Sequence, residues 1–186
     1  MQRGAKLPAM NEDRPLLPDA GENRVDLLEL ARRGAELEGR FALAPMARLT
    51  PALSEPAGDA GVRWVLRAQL RRLPGGGTQP IAELEVEAEL PLQCQRCLGT
   101  VRVPVLDRAR FRLVEVEPEL SDEELEAEEE ALCADAPLDL RELVEDQLIL
   151  ALPLVPMHER CPQPLAAPTH EPAPSPFAAL AQLKQR

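Results

Sequence analysis

Aromatic side chains are nearly missing from this 186-residue chain, which has one Trp, three Phe and no Tyr. Proteins that read single-stranded nucleic acid by stacking bases need aromatic platforms, so that mode of recognition is disfavoured. Histidine is limited to His158 and His170, which leaves little for acid–base chemistry. No apolar run approaches the roughly 18 residues needed to span a bilayer. Met1–Ala20 is charged throughout and lacks the apolar stretch of a secretory signal. The Gly75–Gly77 run is not followed by the Lys-Ser/Thr of a phosphate cradle. Four cysteines without a secretory signal argue for reduced thiols, not a disulfide framework. These absences together predict a soluble cytoplasmic protein with no membrane partner and no small-molecule substrate.

A broad basic footprint is also lacking. Net charge is −11, and it is unevenly spread. Residues 1–110 hold 16 Lys/Arg against 15 Asp/Glu, whereas residues 111–186 hold 5 against 17. The second part repels phosphate, so any contact with nucleic acid must come from a local arginine patch or through a protein partner. The length gives room for one domain with a core plus tails. Twenty prolines, clustered towards both ends, make the folded part shorter than the chain.

The unpatterned polar stretch 1–13 reads as a disordered leader, and 14–161 as a single domain. Asn23 would cap a short helix through Val25, Leu27, Leu28 and Leu30, with Gly34 stopping it. Val62–Leu73 alternates, with Val62, Trp64, Leu66, Ala68 and Leu70 on one face and Arg63, Arg67, Gln69 and Arg71 on the other. Ile81–Leu90 alternates in the same way with an acidic outer face of Glu83, Glu85, Glu87 and Glu89. Period-two alternation predicts half-buried strands, and arginines facing glutamates would pair across an antiparallel hairpin. Thr100–Val105 and Arg108–Val116 add further strands. An acidic loop follows near 115–135, where Glu115–Glu130 alone holds ten acidic residues. Asp139 then caps a strong helix over 139–152, carrying Leu140, Leu143, Val144 and Leu148 at helical spacing. The fold class expected is therefore α+β: an antiparallel sheet or partly closed barrel of four to six strands, with a short N-terminal helix and the 139–152 helix as its main cover. Residues 162–186 read as a Pro/Ala-rich tail ending in a short amphipathic helix that begins at Ser175-Pro and presents Phe177, Leu180, Ala181 and Leu183.

Cys94 and Cys97 form a C-x-x-C on a turn between two strands. That motif can give half a tetrahedral zinc site, a redox dithiol or an idle pair. His158 and Cys161, spaced H-x-x-C, could complete a set of three sulfurs and one imidazole nitrogen. Such a closed set would be structural, pinning the segment after the helix to the cysteine turn. A zinc- or thiol-dependent enzyme built on Cys94 and Cys97 is the alternative. Candidate contacts with RNA or a partner are Arg32, Arg33, Arg40, Arg63, Arg67, Arg71 and Arg72, together with Phe177 and Leu180 in the tail.

Three blocks stand together in order: Gln93-Cys-Gln-Arg-Cys97; Leu143-Val-Glu-Asp-Gln-Leu-Ile-Leu-Ala-Leu-Pro-Leu-Val-Pro-Met-His158 with Cys161; and Ser175-Pro-Phe-Ala-Ala-Leu-Ala-Gln-Leu-Lys184. In this order the chain resembles the bacterial YceD-like family, the large ribosomal RNA subunit accumulation proteins, from about Arg14 to the C-terminus. The resemblance implies a cytoplasmic, non-enzymatic factor needed for synthesis, processing or stability of large-subunit ribosomal RNA. It would act by contact, direct or indirect, with that RNA or with pre-ribosomal proteins. Relatives of another branch carry further cysteines after the Leu-Pro segment, where this chain has Cys161 alone. The resemblance assigns no catalytic residue.

Overall fold

A computed structural model describes residues 23–119, 121, 127 and 129–162. The leader and the terminal helix expected from sequence, with Phe177 and Leu180, lie outside these residues.

The elements follow as β1 (Arg24–Val25), α1 (Leu27–Arg33), β2 (Glu36–Ala42), a 3-10 turn at Thr50–Ala52, β3 (Gly61–Arg72), β4 (Thr78–Gln93), β5 (Thr100–Val114), β6 (Glu130–Cys133), β7 (Leu138–Asp139) and α2 (Leu140–Leu150). The fold is α+β. Five strands form one sheet in the order β2-β3-β4-β5-β6, and β1 pairs with β7 in a separate two-stranded ribbon. The sheet differs from the expected one in two respects. The large sheet is mixed, because β6 runs parallel to β5, with Phe111 opposite Glu130 and Val114 opposite Cys133. No closed barrel forms among the described residues: the sheet is open, with β2 and β6 at its edges. The acidic stretch hid β6 because a four-residue edge strand carries almost no periodic signal.

The first helix starts three residues later than expected. Asp26, not Asn23, is the cap, and its side chain accepts the Glu29 N–H at 2.8 Å. Asn23 serves the other helix instead, since its carbonyl accepts the Leu140 N–H at 2.9 Å. Gly34 ends α1 in the left-handed region at φ +61, which a residue without Cβ adopts at no steric cost. Asp139 caps α2 as expected, accepting the Arg141 N–H at 2.8 Å.

The alternation of β3 and β4 sorts their side chains cleanly. Val62, Trp64, Leu66 and Ala68 meet Ala82, Leu84, Val86 and Ala88 on the inner face, all buried. Phe41 stacks on Trp64 with ring centroids 5.2 Å apart. Each fully buried leucine of this layer stabilises the fold by roughly 1.5–3 kcal/mol. Both helices cover this face: α1 packs on β3 and β4, and α2 on β4 and β5. The backbone of α1 lies closer to the sheet and buries Leu27 and Ala31, whereas α2 buries Leu140, Leu143, Val144 and Leu148 against it.

The outer face is a lattice of ion pairs. Arg67 reaches Glu36 at 2.7 Å and Glu85 at 3.0 Å, Arg110 reaches Glu83 at 2.9 Å, and Arg108 also binds Glu85. Arginines of β3 and β5 therefore flank the glutamates of β4, the cross-strand pairing that the alternation predicts, at a few tenths to about 1 kcal/mol per pair.

One polar contact fixes a long loop. Glu145 on α2 is only 6% exposed, and it accepts the N–H groups of Arg48 at 2.7 Å and Leu49 at 3.0 Å. Leu43, Met46 and Leu49 from that loop are fully buried. Arg48 in turn binds Glu145 and Asp146.

Candidate metal centre

β4 runs directly into the first cysteine. Its last residue is Gln93, and Cys94 begins a tight turn that returns the chain to β5 at Thr100. The Cys94 N–H donates to the Gly99 carbonyl at 2.9 Å, and the Leu98 N–H donates to the Cys94 carbonyl at 2.9 Å. Leu98 takes a positive φ of 61, the one non-glycine among the described residues to do so. This strained turn brings Cys97 back beside Cys94 and projects Leu98 outward, exposed.

The second half of the site arrives after α2. The segment from Pro153 to His158 runs back to the cysteine turn, where the Gln95 N–H donates to the Pro156 carbonyl at 2.9 Å. Cys94, Cys97, His158 and Cys161 then offer four ligand atoms that all lie within 4.8 Å of one another. Cys94 Sγ lies 3.9 Å from Cys161 Sγ, and Cys97 Sγ lies 3.4 Å from His158 Nδ1. Four donors at zinc–sulfur and zinc–nitrogen bond lengths of about 2.3 and 2.1 Å would stand roughly 3.5–3.8 Å apart at tetrahedral corners. The Cys94–Cys161 and Cys97–His158 edges bracket that range, and the four donors stand close enough to hold one metal ion. The four residues proposed from the sequence are thus brought together.

Two features prepare the donors. His158 Nε2 lies 3.0 Å from the Thr100 carbonyl, an acceptor only, so Nε2 carries the proton and Nδ1 presents its lone pair to the site. Burial pushes the Cys94 thiol up, but the N–H groups of His158, Cys97 and Arg96 outweigh it and bring the thiol down from 9.0 to about 5. Burial raises the Cys161 thiol to about 11, helped by the neighbouring sulfurs of Cys97 and Cys94. One sulfur is therefore ready to coordinate, while crowding keeps another protonated until a cation offsets the charge. Cys133, exposed on β6, lies outside the cluster.

The candidate RNA-contact arginines are dispersed. Arg32 and Arg33 ride on α1 and pair with Glu29 at 3.6 and 2.8 Å. On the other side of the sheet, Arg67 is held by Glu36 and Glu85, and Arg71 binds Glu129 at 2.6 Å. Arg40 and Arg63 sit opposite each other in the β2–β3 register and have no ion pair among the described residues. Arg63, however, lines a shallow cavity of about 230 Å³ together with Glu36, Glu38, Glu85 and Glu87. Arg72 is exposed at the end of β3.

The structure also contains parts of the site that sequence reasoning missed. The Thr100 and Pro156 carbonyls are backbone groups, for which no residue type is diagnostic. Glu145 had a visible signal, being an acid at an inward position of an amphipathic helix.

Fold and site together define an open-sheet α+β domain that carries a four-donor, sulfur-rich knuckle at one end of its longest hairpin. Residues 82–184 match the family described as Large ribosomal RNA subunit accumulation protein YceD. That span covers more than half of the chain, including both halves of the knuckle, and the chain belongs to this family. No curated protein and no solved structure matches it. No helix among the described residues is long and apolar enough to cross a membrane.

Proposed function

We propose that this protein is a non-catalytic ribosome-biogenesis factor of the bacterial cytoplasm, needed for synthesis, processing or stability of large-subunit ribosomal RNA. The observation that carries this reading is the family match across residues 82–184. The protein acts by binding, either to the RNA or to pre-ribosomal proteins. Its cofactor is one zinc ion held by Cys94, Cys97, His158 and Cys161. Three sulfurs and a nitrogen gathered within 4.8 Å of one another would fill all four positions of a zinc ion, the donor set of a structural site. The same geometry speaks against an enzyme built on Cys94 and Cys97, since Cys94 is fully buried. Zinc would tie the segment after α2 to the β4–β5 turn.

The test is depletion of the protein in its host, followed by gradient analysis of ribosomal particles. The expected result is a deficit of large subunits and their RNA relative to small subunits. A normal subunit ratio would exclude the reading.

A further inference from the structure

The described surface has a concentration of apolar side chains at the knuckle that the fold does not use. Leu154 is 99% exposed and Leu150 74%, with Val155, Met157 and Leu98 also exposed. Four of these five fall within residues 150–157, where a water-facing chain of this composition has no reason to be so apolar. Scattered exposed leucines are ordinary, but four exposed apolar side chains within eight consecutive residues point to an interaction surface.

The ridge is held in place. At its start, the Ala151 and Leu152 N–H groups donate to the Gln147 and Ile149 carbonyls. Near its end, the Pro156 carbonyl accepts from Gln95, and the His158 N–H points at Cys94 Sγ at 3.5 Å. Pro153 and Pro156 fix φ between these anchors. A partner would therefore meet apolar side chains on a backbone that needs no further ordering, which removes one of the main costs of association.

The chemistry beside the ridge selects the occupant. The aromatic rings of the described residues, Trp64, Phe41 and Phe111, are all buried, so no platform for stacking bases exists here. Aliphatic side chains favour a protein groove instead. Arg96 lies against Met157, with Nη2 3.8 Å from its Sδ, and Arg160 follows two residues after His158. Both are exposed, and neither has an ion pair among the described residues. In a chain of net charge −11, this end offers free cations next to its most apolar surface. The chain's own tail carries Lys184 and Arg186 against Glu171 alone, and a second copy would set Arg96 and Arg160 against their like.

We propose that the Leu150–Met157 ridge, clasped by the Cys94–Cys97–His158–Cys161 centre, docks into an apolar groove with an acidic rim on a protein of the large-subunit precursor. This rests on the ribosomal reading above and names the surface through which it works.

The experiment uses the full-length, metal-loaded chain and two probes: purified large-subunit precursor particles and RNA deproteinised from them. Wild-type protein is expected to co-sediment with the particles and not with the bare RNA. The Leu154→Asp/Val155→Asp double variant should lose about tenfold or more in affinity, as buried anchors do, with metal content and melting temperature unchanged. Arg96→Glu/Arg160→Glu should weaken binding several-fold. Particle binding that survives the double Asp variant overturns the ridge while leaving the ribosomal reading intact. So does bare RNA that binds as tightly as particles. Cross-links in the free protein from 150–157 to residues 175–184, or to a second copy, would assign the ridge to the tail or to self-association and overturn it too. If wild-type protein ignores the particles altogether, both readings fall.

Discussion

His158 and Thr100 are joined ring nitrogen to carbonyl, Nε2 to oxygen at 3.0 Å, and that contact decides which nitrogen faces the sulfurs. The proton sits towards Thr100, so Nδ1 is left as the donor 3.4 Å from Cys97 Sγ. Replacing the ring should therefore weaken the centre without touching the sheet. His158→Ala is expected to lower metal affinity by at least about 10–100-fold, the loss seen when even an outer partner of a metal ligand is removed. Competition with a metal-binding dye measures this, and an unchanged affinity would exclude His158 as a ligand.

The cysteines divide three to one. Cys94→Ser, Cys97→Ser and Cys161→Ser should each abolish stoichiometric metal binding and lower the melting temperature, because binding energy at a structural site is folding energy. Cys133→Ser should leave both unchanged, since that thiol stands outside the cluster. Elemental analysis of the purified variants, beside their melting curves, separates the two classes. A Cys133→Ser variant that lost the metal would mean that the four-donor assignment is wrong.

In metal-free protein the Cys94 thiol titrates at about 5 in the folded state against 9.0 ordinarily. The folded form binds fewer protons over that interval, so this group adds stability as pH rises from about 5 to 9 and loses it as pH falls through 5. Cys161, raised to about 11, acts in the opposite sense above pH 9. Melting temperatures of chelator-treated protein should therefore climb across pH 5–9 more steeply than those of Cys94→Ser. Parallel profiles for the two proteins would remove the lowered thiol from the account.

Glu145 holds the Arg48–Leu49 loop through two N–H groups, one of them buried. Glu145→Gln keeps the shape and loses the charge, and is expected to destabilise by roughly 1.5–3 kcal/mol, the range for hydrogen bonds to charged groups. Urea unfolding gives the loss, and faster hydrogen exchange at Leu49 would localise it. A change below about 0.5 kcal/mol would show that the loop is held by Leu43, Met46 and Leu49 alone.

How much of this could be read from the residues depends on how local each signal is. The β3–β4 hairpin was legible because Trp64, Leu66 and Ala68 alternate with Arg63 and Arg67 over a length that admits no other period. The four ligands were legible as residue types, since C-x-x-C and H-x-x-C are short patterns, but their convergence depends on where α2 ends. The parallel β6 was invisible, because Glu130–Cys133 gains its strand character from β5 and not from its own sequence. The start of α1 shifted because Asn23 and Asp26 are both good caps, and the pairing of Arg24–Val25 with β7 holds those residues extended and leaves the cap to Asp26. The pairing of β3 arginines with β4 glutamates was legible from the alternation, but the reach of Arg67 to Glu36 and of Arg71 to Glu129 depends on tertiary structure.

The clasp between Cys94 and Cys161 joins sulfurs 67 positions apart, and β5, β6 and α2 all lie inside the loop that it closes. With metal in place, a single protease cut between Val114 and Glu130 would leave two fragments held by the ion as well as by the sheet. Chelation would leave the β5–β6 and β1–β7 pairings, the packing of α2 and the Glu145 contacts as their remaining tethers. The nicked molecule is thus a two-chain assembly, and the difference in its survival on a sizing column with and without chelator reads out what the knuckle adds.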